Sequence, residues 1–233
     1  MHVMEAILKR RSIRKYKDIP IEQAKIITLL EAARNAPSGG NIQDWKFIVI
    51  TDKTRRHDIA EACLKQFWME TAPLYLIIVS NPEKSVKHYG ERGRYYSIQS
   101  CAAAAENIIL AAVAQGLGTC WVSAFDETLL RQAIRLPERG TPEVIITIGY
   151  PDEEVPTPFK TPLESLVFLQ RYANRMRSPD LVLWDVSLAM ERTAKEMRES
   201  VGRNFRHLKD KFMSKAKQMK ERATEDIEGD PEQ

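Results

Sequence analysis

Three arginines and a serine stand within five residues near the start of the chain, as Arg10, Arg11, Ser12 and Arg14. Guanidinium groups donate forked, charge-assisted hydrogen bonds that match the oxygens of a phosphate, and a hydroxyl adds one more donor. The cluster therefore predicts a phosphate-binding turn at the end of a short helix that begins near Met4. A solvated basic turn has the same composition, so the cluster alone does not decide between the two.

A glycine-containing loop directly precedes the first predicted strand. Residues 36–45 read APSGGNIQDW. Paired glycines let a backbone approach a ligand closely, and the amides of Asn41 and Gln43 each offer a donor and an acceptor. The edge of an isoalloxazine ring requires that mixture of groups. Taken alone, such a segment is more often an ordinary loop than a binding site.

Two more motifs occur where predicted strands begin or end. Residues 116–124 read GLGTCWVSA and join a helix to a strand, whereas residues 148–151 read IGYP and end a strand in a turn. The second of these is followed by FKTPLE at residues 159–164. Each motif is weak when taken alone, and the information lies in their order and spacing.

Apolar runs and helical periodicity indicate the elements that must position these motifs. Residues 46–51, 74–80 and 144–148 are predicted as strands, with residues 119–123 as a weaker fourth. Residues 21–35, 53–67 and 96–115 are predicted as helices, the last ending before Gly116. The 96–115 segment is apolar around most of its circumference, which predicts a core helix or a dimer-interface helix. The alternation indicates a mixed α/β layer protein.

Together, in this order, the motifs resemble the nitroreductase family of flavoproteins, whose pattern runs RRSxRxY, PSxxNxQPW, GLGTxW and GYP, then a basic residue shortly before PLE. The match covers about residues 4–168. The resemblance implies an α+β, three-layer α-β-α fold with a central, mostly antiparallel sheet flanked by helices. It also implies an intertwined homodimer that holds FMN in a groove between the subunits, with NADH or NADPH as co-substrate.

The resemblance further implies roles for residues of this sequence. The cofactor-binding set carried over is Arg10, Arg11, Ser12, Arg14, Pro37, Ser38, Gly39, Asn41, Gln43, Ser123, Ala124 and Lys160. In this set the arginine segment and Lys160 would hold the phosphate and the polar edge of the flavin. The loop at residues 37–43 would reach the flavin from the other subunit. The backbone N–H groups of Ser123 and Ala124 would point at the reactive flavin nitrogen and so take part in catalysis.

The sequence departs from the family pattern at two positions. Asp44 stands where family members usually have Pro, which predicts a negative charge near the entrance of the site. Pro158 stands where some relatives carry a second basic residue, so the phosphate affinity is expected to depend more on Arg10 and Arg14. The charged segment at residues 83–94 is a candidate lid over the flavin, and its other interpretation is a charged surface loop.

The resemblance implies an FMN-dependent oxidoreductase that transfers hydride from NAD(P)H to a nitroaromatic, a quinone or a similar small acceptor by a ping-pong mechanism, with the chemistry supplied by the cofactor. A specialised relative of the same fold, such as a reductive dehalogenase or a flavin-consuming enzyme, is the alternative within the enzyme class. The sequence carries no dinucleotide-binding fingerprint, so it does not choose between NADH and NADPH.

Composition limits the other classes of function. The chain has 233 residues, 43% of them hydrophobic, and a formal net charge of +3. Its apolar runs are shorter than the roughly 20 residues of a membrane helix, and its N-terminus lacks the order of a signal peptide, which predicts no span and a cytoplasmic location. Cys63, Cys101 and Cys120 are predicted to be reduced. The scattered histidines predict no metal site.

The chain changes character after Pro179. From Met190 to Ala223, apolar or small residues recur in steps of three and four that repeat every 11 residues. This period predicts a nearly straight amphipathic helix over residues 181–223, roughly 65 Å long at 1.5 Å per residue. We therefore expect a family-like domain at residues 1–173, a helical extension at 174–224 and an acidic, disordered tail at 225–233.

The partner of the extension is open at the sequence level. A coiled-coil association with itself, or packing on the partner subunit, would cover its apolar seam. Residues 203–220 contain seven Lys or Arg and one acid, Asp210, so a nucleic-acid or acidic protein partner is a hypothesis of another class. The solvated face of a coiled coil has the same charges.

Overall fold

The computed structural model describes residues 1–175, where Met1–Pro158 form one compact unit and residues 159–175 belong to a second. The first unit contains helices α1 (Val3–Lys9), α2 (Gln23–Arg34), α3 (Lys53–Ala62), α4 (Glu83–Tyr89), α5 (Arg92–Ala114) and α6 (Glu127–Ile134) and strands β1 (Trp45–Ile50), β2 (Leu74–Ser80), β3 (Gly118–Val122) and β4 (Thr141–Gly149). The second contains α7 (Leu163–Leu166). The predicted helix at 181–223, its basic stretch and the acidic tail lie outside the described residues, and the predicted domain limits remain predictions.

The four strands form one sheet in the order β1-β2-β4-β3, and each neighbouring pair is antiparallel. All four predicted strands are present, which confirms the expected central antiparallel sheet. Each of the seven residues of β2 is buried, because this strand is paired on both sides and covered on both faces. Such a strand has a continuous apolar sequence instead of an alternating one.

Helices cover both faces of the sheet. Alternate residues of β2 point to opposite faces: Leu76 joins a core cluster with residues of α2 and α5, whereas Ile77 joins a second cluster with residues of α3 and α6. The three-layer α-β-α arrangement that the family resemblance implied is therefore confirmed.

Helix α5 is the central helix of one layer. It begins at Arg92, four residues before the predicted start, and Gly116 follows its end with a positive φ of 75°. By length and composition alone α5 could cross a membrane. Its wholly buried residues, which include Cys101, Ala104 and Ile108, instead pack in a core cluster with residues of α2 and the sheet, which accounts for its apolar composition.

The predicted helix at residues 53–67 is wrong at its C-terminal end, because α3 stops at Ala62. In a continuing helix the Ala62 carbonyl would accept a hydrogen bond from the N–H of Gln66. That carbonyl instead accepts from the N–H of Asp126 at 2.8 Å. Leu64 and Lys65 then adopt left-handed φ values of 57° and 58°, and a 3₁₀ helix follows at Phe67–Thr71. A tertiary contact thus overrides the helical pattern.

Candidate active site

The segment from Arg10 to Arg14, here called the arginine segment, runs along the outer edge of β3. Ser12 forms a parallel bridge with Thr119, and the N–H of Ile13 donates to the Thr119 carbonyl at 2.9 Å. A Cβ placed on Gly118 would lie 2.8 Å from Ile13 Cγ1, so any side chain there would push the segment off the strand. The segment is therefore anchored to the sheet edge by its backbone.

This backbone anchoring leaves the side chains that were predicted to bind phosphate available. Among the described residues, Arg10 and Ser12 have no hydrogen-bond partner for their side chains, and the Arg14 guanidinium lies 5.8 Å from the centre of the Trp68 ring. Two guanidinium groups and a hydroxyl on one short segment thus have no hydrogen-bond partner among the described residues. That is the donor set that a phosphate requires.

Arg11 differs from its neighbours in the segment. The guanidinium Nη1 donates to the carbonyls of Leu8 at 2.8 Å and Arg10 at 2.7 Å, and Nη2 donates to the Thr157 hydroxyl. These bonds satisfy carbonyls at the end of α1 and tie the segment to a distant part of the chain. Arg11 therefore has a structural role, and its contact with a flavin remains a prediction.

The residues that follow β3 present two free backbone donors. Ser123 and Ala124 are exposed, and neither N–H donates a hydrogen bond to any residue between 1 and 175. Trp121 donates from its indole nitrogen to the Ser123 hydroxyl at 2.5 Å, and the Ala124 carbonyl accepts from the Gln66 amide at 3.4 Å. The segment is held from both ends while its N–H groups point to no protein partner.

Gln66 and Trp68 also belong to this region, although no sequence motif indicates either of them. The Trp68 indole donates to Gln66 Oε1 at 3.3 Å, so the pair links the guanidinium of Arg14 to the carbonyl of Ala124. The sequence carries no local signal for this link, because the helical pattern assigned Gln66 to the end of a helix. The contact exists only because the chain turns at residues 64–65.

The loop at residues 37–43, here called the glycine loop, has an unusual backbone. Gly40, Asn41 and Gln43 have positive φ values of 56°, 56° and 53°, a conformation that Gly and Asn adopt more easily than other residues. The Ser38 hydroxyl accepts from the N–H of Gln43 at 3.2 Å, and the Gln43 amide donates to Asn41 Oδ1 at 2.8 Å. The two amides that were predicted to bind the flavin thus bind one another. Pro37 and Gly39 complete the loop.

The sheet order separates the two sets of predicted flavin contacts. The glycine loop leads into β1, which is one edge of the sheet, and the arginine segment lies outside β3, which is the other edge. Three strand spacings of about 4.8 Å, or about 14 Å, lie between those edge strands. Within one chain, the arginine segment lies along β3, the strand that leads to Ser123 and Ala124, whereas the glycine loop lies on the opposite edge of the sheet.

The prediction that Asp44 places a negative charge near the entrance is wrong. Asp44 is only 5% exposed, and its carboxylate accepts hydrogen bonds from the hydroxyls of Ser85, at 2.5 Å, and Ser97. Buried charges require such partners. The carboxylate joins the start of β1 to α4 and α5, so the residue that replaces the family's proline has become an internal anchor.

The segment at residues 83–94 consists of α4, a turn and the first residues of α5. The interpretation as a charged surface loop is therefore wrong, and a lid over a flavin remains a prediction. Lys160 is exposed and belongs to the second unit. Its predicted contact with phosphate remains a prediction as well.

The described cysteines do not provide a nucleophile. Cys63, Cys101 and Cys120 are free and buried. Burial raises the pKa of the Cys63 thiol to about 12 and also raises the pKa values of Cys101 and Cys120. The reactive thiolate is therefore scarce at neutral pH. The site offers donors and positive charge, which suits a bound group that supplies the chemistry itself.

Comparison with known proteins agrees with this arrangement. The sequence matches the model of the nitroreductase family over residues 7–68 and 63–150, which include the arginine segment, the glycine loop, Ser123 and Ala124. An NADH dehydrogenase of Thermus thermophilus is 30% identical over 190 residues, covering 70% of this chain and 93% of that protein. An FMN reductase (NAD(P)H) of Bacillus subtilis is 26% identical over 195 residues, covering 74% of this chain and 75% of that protein.

A solved structure shows the same fold. The FMN-dependent nitroreductase from Clostridium difficile superposes with a TM-score of 0.64 at 30% sequence identity. The superposition covers 72% of this chain and 99% of that one. Nearly the whole of that chain thus has a counterpart here, whereas about a quarter of this chain lies outside the superposition.

Proposed function

The chain belongs to the nitroreductase family, and from that premise we propose that it is an FMN-dependent oxidoreductase that passes electrons from NADH or NADPH to a small organic acceptor. Nitroaromatics and quinones are the proposed acceptors, and the mechanism is ping-pong. The relatives named FMN reductase and FMN-dependent nitroreductase support the choice of cofactor. The three buried, free cysteines are compatible with a reducing cytoplasm.

One observation carries the proposal. The free N–H groups of Ser123 and Ala124 lie at the same sheet edge as the free side chains of Arg10 and Arg14. Cations suit a phosphate, and a pair of preorganised N–H donors suits a ring nitrogen on which negative charge develops. The donor set fits the two ends of FMN.

FMN, when bound, supplies the hydride and electron transfer, and the protein's part is to hold and orient it. Arg10, Ser12 and Arg14 bind the phosphate and the polar edge. Ser123 and Ala124 orient the reactive edge, and Gln66 holds the Ala124 carbonyl so that this segment keeps its direction. No described side chain is needed as a dedicated acid, because water reaches these exposed residues.

We further propose that the enzyme is a homodimer with FMN between the subunits. The glycine loop and the arginine segment lie on opposite edges of one sheet, so a second copy is required to bring a loop next to an arginine segment. Apolar side chains on α1 support an interface, because Val3, Ile7 and Leu8 are all about half exposed.

The cofactor is tested by purifying the protein, recording its flavin absorbance, and following anaerobic bleaching with NADH and with NADPH. We expect a yellow protein that one or both nicotinamides bleach. A colourless protein that takes up no added FMN would refute the proposal. The double substitution of Arg10 and Arg14 by alanine should remove the flavin, whereas Lys17→Ala, an exposed cation near the segment, should not.

The acceptor class is tested by turnover of nitroaromatic, quinone and halogenated aromatic compounds under the same conditions. The general reductase proposal predicts reduction of quinones or nitroaromatics. Turnover of halogenated compounds alone, or consumption of the flavin itself, would favour the specialised alternatives. Turnover by a dimer and its absence in a monomeric fraction would support the shared site.

A further inference from the structure

The Asp44 carboxylate is the buried junction between the glycine loop and the helices next to it. Both serine hydroxyls donate to the same oxygen, Oδ2, and Ser85 and Ser97 are 3% and 1% exposed. The Asp44 carbonyl also accepts from the N–H of Asn81 at 2.8 Å. Three separate segments thus converge on one residue at the end of the loop.

The two helices that Asp44 holds approach each other without space for a side chain between them. A Cβ on Gly93, the second residue of α5, would collide with the backbone carbonyl of Ser85 in α4. This contact lets both serines reach the same carboxylate oxygen. Together, the short α4 and the start of α5 form a corner, defined here as residues 83–97, with Asp44 at its inner side.

The outer side of this corner places two tyrosines on the glycine loop. The Tyr89 hydroxyl would collide with a Cβ on Gly40, and Tyr96 Cβ would lie 3.3 Å from a Cβ on Gly39. The two tyrosine rings meet edge to face, with centroids 5.1 Å apart. Tyr89 remains 43% exposed, so an aromatic face next to the loop is open to a ligand.

We propose that Asp44 is a positioning residue that fixes Tyr89 and Tyr96 as a wall beside the glycine loop and thereby restricts the acceptor to small planar molecules. This inference rests on the proposed function, because the wall limits acceptor access only if the loop borders a bound flavin. The wall is held at its base by a buried carboxylate, so it does not yield to a bulky acceptor as a mobile lid would.

The selectivity follows from rigidity. A wall that cannot move excludes molecules that exceed the space beside it, whereas a wall that has lost its anchor accommodates them. Planar one-ring acceptors fit against an aromatic face in stacked or edge-to-face contact. Acceptors with a second fused ring need more room, so their kcat/KM should rise when the Asp44 anchor is removed.

The anchor is tested first, without any assay of activity, by hydrogen exchange of the α4 amides in the full chain. Asp44→Ala and the double substitution of Ser85 and Ser97 by alanine each remove the charge-assisted bonds, so α4 should exchange at least about tenfold faster. Asp44→Asn keeps an oxygen that accepts from both hydroxyls and should restore slow exchange. Asp58→Ala, at an exposed carboxylate of α3, is the matched control. Folded Asp44→Ala protein with unchanged α4 exchange would overturn the proposal.

The selectivity is tested by the ratio of kcat/KM for a two-ring naphthoquinone to that for a one-ring benzoquinone. Asp44→Ala and Tyr89→Ala should each raise this ratio at least about fivefold, mainly through KM, when the rates are measured at an FMN concentration that saturates each variant. Asp44→Asn should keep the wild-type ratio. An unchanged ratio in both alanine variants would overturn the proposal that Tyr89 and Tyr96 restrict the acceptor. A wild-type protein that binds no FMN would instead refute the proposed function, and the exchange experiment would still report on the anchor.

Discussion

The arginine segment is held in place by its backbone, whereas the glycine loop is held in place by side chains. The arginine segment is attached to β3 by backbone contacts at Ser12 and Ile13, and its neighbouring side chains Arg10 and Arg14 stay free. The glycine loop presents its backbone and is held by side chains, above all the buried carboxylate of Asp44. The arginine segment thus offers side chains to a ligand, and the glycine loop offers its backbone.

The largest loss of stability is expected from a substitution at the contact between α4 and α5, the helices behind the glycine loop. Gly93→Ala would place a methyl group against the backbone of α4, which cannot move aside as a flexible side chain can. We expect a loss of about 3 kcal/mol in the free energy of unfolding, measured by urea denaturation. Gly116→Ala has open space and only a strained φ of 75°, so it should cost about 1 kcal/mol. Equal losses would show that the helix contact does not support the loop.

Removing a free cation from the arginine segment should affect binding rather than folding. Arg10→Ala and Arg14→Ala should each weaken FMN binding at least about tenfold, because each removes a charge-assisted hydrogen bond. The unfolding free energy should stay within about 0.5 kcal/mol of wild type. Fluorescence titration with FMN measures the first quantity. If both variants lost stability but not affinity, the side chains of this segment would be anchors, and the contrast with the loop would fail.

Arg11→Ala should behave in the opposite way to its neighbours. It removes hydrogen bonds to two carbonyls and to the Thr157 hydroxyl, so we expect a loss of about 1–2 kcal/mol of stability. The Kd of FMN should change less than in Arg10→Ala. A thermal unfolding curve beside the FMN titration makes the comparison, and a tenfold loss of affinity at unchanged stability would assign Arg11 to the ligand instead.

The smallest predicted effect is a pH-dependent change in stability that comes from the Glu143 carboxyl, which interacts electrostatically with Asp44. Burial raises the pKa of Glu143 above its ordinary value of 4.5, with Glu127 and Asp44 adding to the rise, and the Ser80 hydroxyl donates to it at 2.6 Å. Because the folded pKa is the higher one, this group's stabilising contribution is complete below about pH 4.5 and is lost as pH rises through the folded pKa. Glu143→Gln should remove that loss, so it should gain stability relative to wild type between about pH 4 and pH 7.

That gain should stay below about 1 kcal/mol, because Glu143 is only partly buried and water screens it. Urea denaturation of both proteins at the two pH values measures it. A difference between variant and wild type that does not change with pH would contradict the prediction. Among the described residues, no carboxyl beside the arginine segment has a raised pKa, so this pH dependence of stability is expected from the region of Asp44 alone.

The strands and the motif positions could be predicted from the sequence, and several contacts could not. The apolar run of β2 and the glycine at the end of α5 are local signals, so both elements were found within a few residues. The end of α3 was misplaced, because a hydrogen bond from Asp126 decides it. Gln66 was missed as a neighbour of Ala124 for the same reason, since 58 residues of chain separate them.

By itself the sequence determined the fold class and the family and pointed to the residues that we propose bind a phosphate and a flavin, since these depend on residue type, order and short spacing. Only the tertiary structure decided that the arginine segment and the glycine loop occupy opposite edges of the sheet, because strand order is a matter of long-range pairing. It also decided that Asp44 is buried, through a bond to Ser97 that lies 53 residues away. Local patterns cannot specify a contact whose partner enters from a distant helix.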